Sequence, residues 1–129
     1  MTPRRLPPRP VGARGEPYPP WLAALRGASG CYVIRDRATR AVLYVGESHS
    51  GRLYRTITRH FQAWARLKRH WIGLLGAQQH DPGTNYQRDA VTVQVVTTTP
   101  AAAVGLQGRL IRALRPRDNI VGAAADVPF

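Results

Sequence analysis

The chain has 129 residues, one ordinary domain's worth, with 19 Lys plus Arg against 7 Asp plus Glu, a formal charge of +12 that favours a polyanionic partner such as nucleic acid. Eighteen of those cations are arginines, whose planar forks suit phosphate and guanine; a GC-rich coding bias explains the arginine-to-lysine ratio but not the net charge. The single cysteine, Cys31, excludes an intrachain disulfide scaffold, and no apolar run approaches the roughly 18 residues that a membrane span needs.

Residues 1–20 hold seven of the eleven prolines and four arginines. This composition predicts an irregular arm that pairs no ladder and either lies on the domain or reaches toward a phosphate backbone. Arg4 and Arg5 lead into prolines, not an apolar core, so the start does not read as a signal peptide. Residues 21–129 then form the domain proper. Trp21-Leu22-Ala23-Ala24-Leu25 predicts a helical turn stopped by Gly27. Two β-type runs, residues 30–34 and 41–46, flank the polar stretch 35–40 and predict a hairpin.

From Ser50 the period changes. Leu53, Ile57, Phe61, Trp64, Leu67 and Trp71 recur at three and four residues, the apolar stripe of a long amphipathic helix. Arg52, Arg55, Arg59, Arg66 and Arg69 fall off that stripe and give a cationic face. A long loop is expected from Gly73 to Asp89, around the turn signal Asp81-Pro82-Gly83-Thr84-Asn85. Residues 91–96 predict a third strand. Thr99-Pro100 predicts the N-cap and first residue of a helix that ends before Pro116. The order β-β-α-β-α implies an α+β fold with a small, mainly antiparallel three-stranded sheet flanked by helices.

Two tyrosines, Tyr32 and Tyr44, stand on adjacent predicted strands with eleven residues between them, and each has a glycine two residues away: Gly30 and Gly46. Strand packing accounts for any one of them; the pair with its glycines is less common. Gly30-Cys31-Tyr32 and Tyr44-Val45-Gly46 resemble the two half-motifs of the GIY-YIG nucleases, and His60 and the run from Gln107 to Asn119 extend the likeness over about residues 29–120.

The resemblance implies a DNA endonuclease using a divalent metal, Mg2+ or Mn2+. It implies Tyr32, Tyr44, His60 and an arginine around the scissile phosphate, with Asn119 beyond the last helix. The family often sets its arginine one turn before the His, where this chain has Thr56, so Arg52 is the favoured substitute and Arg55 the next. The metal-binding Glu of the family falls on Gln107, as a natural variant or an engineered one, and an amide is a far weaker ligand for a hard cation than a carboxylate. On a helical wheel Val104, Leu110, Ile111 and Leu114 surround Gln107, which predicts that it projects from a buried stripe toward the sheet. There it would be satisfied by a backbone or tyrosine partner or would occupy the active site. Glu47 and Asp118 are the nearby carboxylates that could help hold a metal. Arg55, Arg59, Arg66, Arg69 and Arg117 are the expected DNA contacts.

By this scheme a tyrosine beside His60 deprotonates the attacking water. An ordinary phenol titrates near a pKa of about 10, so it needs a neighbouring cation or metal. The chain with Gln107 is therefore expected to bind DNA and cut it slowly or not at all. A non-catalytic nucleic-acid-binding module on the same fold is the alternative, and an interaction protein kept soluble by its charge is a third.

Other chemistries find less support. His49, His60, His70 and His80 lack zinc-ligand spacing with Cys. No phosphate-binding Gly-rich loop ends in Lys-Ser or Lys-Thr. Cys31 reads as strand core, and Ser48, His49 and Asp36 form a triad only by free assembly. Phe61, Trp64 and Trp71 read as core, whereas Tyr54 and Tyr86 are better placed to stack on bases. An intracellular, cytoplasmic protein without a membrane partner is expected, its oligomeric state open.

Overall fold

The structure is a computed structural model that describes residues 4–62 and 85–119. In chain order its elements are β1 (Arg4–Arg5), β2 (Arg9–Pro10), α1 (Pro20–Ala23), β3 (Ser29–Asp36), β4 (Val42–Ser48), α2 (Leu53–Thr58), a 3₁₀ turn (Arg59–Phe61), a second 3₁₀ turn (Arg88–Ala90), β5 (Val91–Thr98) and α3 (Pro100–Leu114). The α+β class holds, and among the described residues every strand pairing is antiparallel. The hairpin is β3–β4, with Asp36 Oδ1 accepting the turn amides of Ala38 and Thr39, both at 2.9 Å.

The sheet is wider than the three predicted strands. Its order is β1-β5-β3-β4, with β2 also on β5. The expectation that the proline-rich start pairs no ladder is thereby corrected. Each arm strand is only two residues long and lies at an edge, where a missing N–H costs little. Pro7 and Pro8 fall between them, Leu6 N–H donates to Val95 O at 2.8 Å, and Val11 is fully buried.

The two sheet faces have different cover. Tyr32, Ile34, Tyr44, Val91, Val93 and Val95 face a core completed by Val11, Leu22, Leu25, Leu53 and Ile57. This alternation follows from the period of two along a strand. The opposite face lies under α3, where the Cys31 thiol donates to Ala103 O at 3.1 Å. Burial, aided by the Glu47 charge, pushes that thiol up to about 12, so Cys31 is core and not a nucleophile. On α3, Gln107, Leu110, Ile111 and Leu114 are half-buried as the wheel predicts, but Val104 is 53% exposed and leaves the stripe.

The long helix from Ser50 is a second correction. α2 ends at Thr58, and Gln62 is already extended after the 3₁₀ turn. A returning segment closes it. The Asn85 amide nitrogen lies 3.1 Å from His60 O and 3.0 Å from Gln62 O, and Tyr86 N–H donates to His60 O at 2.8 Å. Carbonyls that a continuing helix would use are therefore taken by another part of the chain. Leu53 and Ile57 are buried and Phe61 packs on the core, as their spacing predicts. Trp64, Arg66, Leu67, Arg69, Trp71 and the turn around Asp81 lie outside the described residues. Among the described residues no helix is long and apolar enough to cross a membrane.

Candidate functional site

Two glycines shape the core face of the hairpin. Gly30 has φ +151, and a Cβ there would run into Val96 O. Gly46 pairs with Tyr32 across β3–β4, and a Cβ there would occupy the space of the Tyr32 ring and hydroxyl. The missing side chain is what lets the Tyr32 ring lie across β4. Tyr44, diagonal to it on the same face, stacks at 6.1 Å between ring centroids.

The 3₁₀ turn after α2 brings His60 over both rings. Tyr32 Oη and His60 Nε2 are hydrogen-bonded at 2.7 Å, and the Tyr44 and His60 rings meet edge-on at 4.6 Å. Tyr32 is 1% exposed, His60 3% and Tyr44 8%, so the cluster sits in a dry environment where a hydrogen bond is strong. Tyr86 adds a fourth ring 5.9 Å from His60, its hydroxyl donating to Asp118 Oδ2 at 2.7 Å. Gly46→Ala is expected to cost about 1–3 kcal/mol and to unhook Tyr32 from His60. Urea unfolding measures the cost, and a native-like midpoint would refute this packing.

The other predicted site residues gather elsewhere. Gln107 and Asn119 meet at Val45, the residue between Tyr44 and Gly46 on the outer edge of β4. Asn119 stands in for a strand partner: Val45 N–H donates to its Oδ1 at 2.8 Å, and its Nδ2 donates to Val45 O at 2.7 Å. Gln107 Nε2 reaches the same carbonyl at 3.5 Å. The amide thus approaches from the α3 side to the β4 backbone, not to the phenols. Arg52, Arg55 and Arg59 are exposed on α2 and its 3₁₀ extension, with Arg52 at the helix N-cap. Arg117, exposed, forks onto Asp118 at 2.8 and 2.9 Å. That fork, then the Tyr86 hydroxyl, holds the Asp118 carboxyl below the usual carboxylate range.

These placements bear on the metal that the resemblance implies. Gln107 offers an amide directed at a carbonyl. Glu47 pairs in register with Cys31, on the face away from the phenols, and meets His49 Nδ1 at 3.1 Å. Asp118 is engaged by Tyr86 and Arg117. Among the described residues no three His, Cys, Asp or Glu side chains gather into a metal site. The described residues do not fit a divalent cation.

Sequence reasoning missed or misread four residues. Asn85 shapes the turn that carries His60, and its only sequence signal is its place in a turn-rich segment. Tyr86 and Tyr54, read as base-stacking residues, are packed instead: Tyr86 on His60, Tyr54 edge-on to Tyr18 at 6.1 Å with the Arg26 guanidinium 4.6 Å from its ring centre. Arg88 is buried and donates to Val11 O at 2.7 Å and Glu16 O at 2.7 Å. Nothing marks it among eighteen arginines. No protein-family model, curated protein or solved structure matches the chain.

Proposed function

We propose that the chain binds duplex DNA and carries the site of a GIY-YIG-type phosphodiesterase whose hydrolytic step is curtailed at position 107. The observation that carries this reading is the buried Tyr32–His60–Tyr44 cluster on the core face of the hairpin. The +12 charge and the order of the half-motifs support it. The expected step moves a proton from a water admitted to the cluster onto Tyr32 Oη as the phenol proton passes to His60 Nε2, leaving an imidazolium and a hydroxide that attacks phosphorus while the bond to the leaving oxygen breaks and that oxygen takes a proton from solvent. The exposed guanidinium groups of Arg52 and Arg55, on the helix that leads to His60, offset the charge that builds on the phosphate oxygens. Mg2+ or Mn2+, which the family uses, has no carboxylate to hold it at residue 107. Binding with slow or no cleavage follows.

A second reading, a DNA-binding module without catalysis, is favoured by one observation: the Gln107 amide donates toward Val45 O, a contact that a carboxylate cannot make. Both readings require a steep fall of duplex affinity with salt, about −0.9 in log K per log salt for each phosphate contact. A flat slope would remove DNA from both. Nicking of supercoiled plasmid in Mg2+ and Mn2+ separates them. The expected order is slow for the chain, faster for Gln107→Glu, and slow again when Tyr32→Phe is added. A Glu variant as inert as the chain in both metals leaves the binding module.

A further inference from the structure

A second basic feature lies on the sheet face opposite the phenols. A cleft of about 420 Å³ is lined by Pro8, Arg35, Arg37, Arg40 and Thr92. Arg35 follows Ile34, a core residue, so its side chain emerges on the other face. There its Nη1 donates to Gln94 Oε1 at 2.6 Å, and Gln94 pairs in register with Val33. The other two arginines sit on backbone set by the hairpin turn. Arg37 N–H donates to Ala90 O at 2.9 Å, and Arg40 holds φ +64 with its N–H on Asp36 O at 2.8 Å. The side chain of Asp36 is directed to its own turn: its Oδ1 takes the Ala38 and Thr39 amides, and these bonds, that of Thr39 first, hold the carboxyl below its ordinary range. Among the described residues no acidic one lines the cleft. Three arginines therefore line one concavity with no carboxylate among its described walls, and one of them is oriented by the half-buried Gln94 amide.

We propose that this cleft holds backbone phosphate of duplex DNA, as an anchoring point separate from the Tyr32–His60 site. The chemistry is that of planar donors matched to phosphate oxygens. The identity of the polymer rests on the nucleic-acid reading above; the cleft does not depend on residue 107 or on any cleavage.

The test is anisotropy binding of a labelled duplex by the full chain, by Arg35→Gln/Arg37→Gln/Arg40→Asn, and by Arg14→Gln/Arg109→Gln/Arg112→Gln. The third protein removes the same charge from exposed positions outside the cleft. Asn at position 40 tolerates the left-handed backbone. The cleft variant is expected to bind at least tenfold more weakly and to lose about 0.9 of salt slope for each contact removed. The other triple variant is expected to stay within threefold of the native chain. Native-like affinity in the cleft variant, or an equal loss in both, overturns the cleft. A native chain that binds no duplex at low salt rejects the nucleic-acid reading itself and the cleft's occupant with it. If the triple variant unfolds, Arg37→Gln alone, fully on the surface, is expected to weaken binding at least threefold, and an unchanged affinity overturns the proposal.

Discussion

Gln107→Glu is expected to raise metal-dependent nicking by about 10²–10³-fold, by analogy with one electrostatic stabiliser of an acyl-transfer transition state, on the order of 2.7–4 kcal/mol, and the gain requires the new carboxylate to swing from the α3 side of β4 toward the phenols. The local geometry explains why the change is cheap to the fold. Gln107 Nε2 lies at 3.5 Å from Val45 O, the long limit of a hydrogen bond, and that carbonyl already accepts from Asn119 at 2.7 Å. Losing the contact costs little. Glu also has nearly the helix propensity of Gln, so α3 is undisturbed. A carboxylate cannot rest against a carbonyl oxygen, so it turns off the β4 edge and becomes available to a cation. Binding to the native state alone then stabilises it in proportion to the logarithm of metal concentration. The thermal midpoint of the Glu variant should rise with added Mn2+, and that of the native chain should not. A Glu variant indifferent to Mn2+ and no faster than the chain would show that position 107 is a structural contact of β4 and nothing more.

What could be read from the residues follows the range of the interactions involved. The hairpin, its glycines and α3 are set by neighbours in sequence: period two in β3 and β4, Thr99-Pro100 at the start of α3, Pro116 after its end. Tyr32, Tyr44 and His60 were legible because two half-motifs and a helical period place them. Their meeting needed only that α2 cross the hairpin. The early end of α2 was not legible, because its cause, Asn85 bonding the carbonyls around His60, is twenty-five residues away from His60. Residue 119 illustrates the same limit. Its side chain mimics a strand partner for Val45, seventy-four residues earlier, and no local pattern announces that. The pairing of the arm escapes the sequence for a related reason. Proline composition reports what a segment cannot do alone, whereas β5 offers it a finished edge to pair with.

Arg88→Ala is expected to destabilise the fold by about 2–4 kcal/mol, a large fraction of a typical domain's stability. Arg88 is 8% exposed, and its guanidinium donates to Val11 O and Glu16 O and lies 4.2 Å from the centre of the Tyr18 ring. Truncation strands the buried Val11 carbonyl, frees the part-buried Glu16 carbonyl and removes a desolvated cation–π contact, each a recognised source of loss. Arg88→Lys should recover only part, since a point charge cannot span both carbonyls as the fork does. Urea unfolding gives the magnitude, and the place of damage can be read as well. Val11 and Glu16 belong to the arm, so the arm should loosen before the β3–β4 hairpin does. Trypsin should then cut at exposed Arg14 far faster in Arg88→Ala than in the native chain. Equal digestion with unfolding energies within about 0.5 kcal/mol would mean that β1 and β2 hold the arm without the pin. The consequence extends to the opposite face of the sheet. Pro8 lies between β1 and β2 and walls the arginine cleft, so an arm released at Val11 takes one wall of that cleft with it.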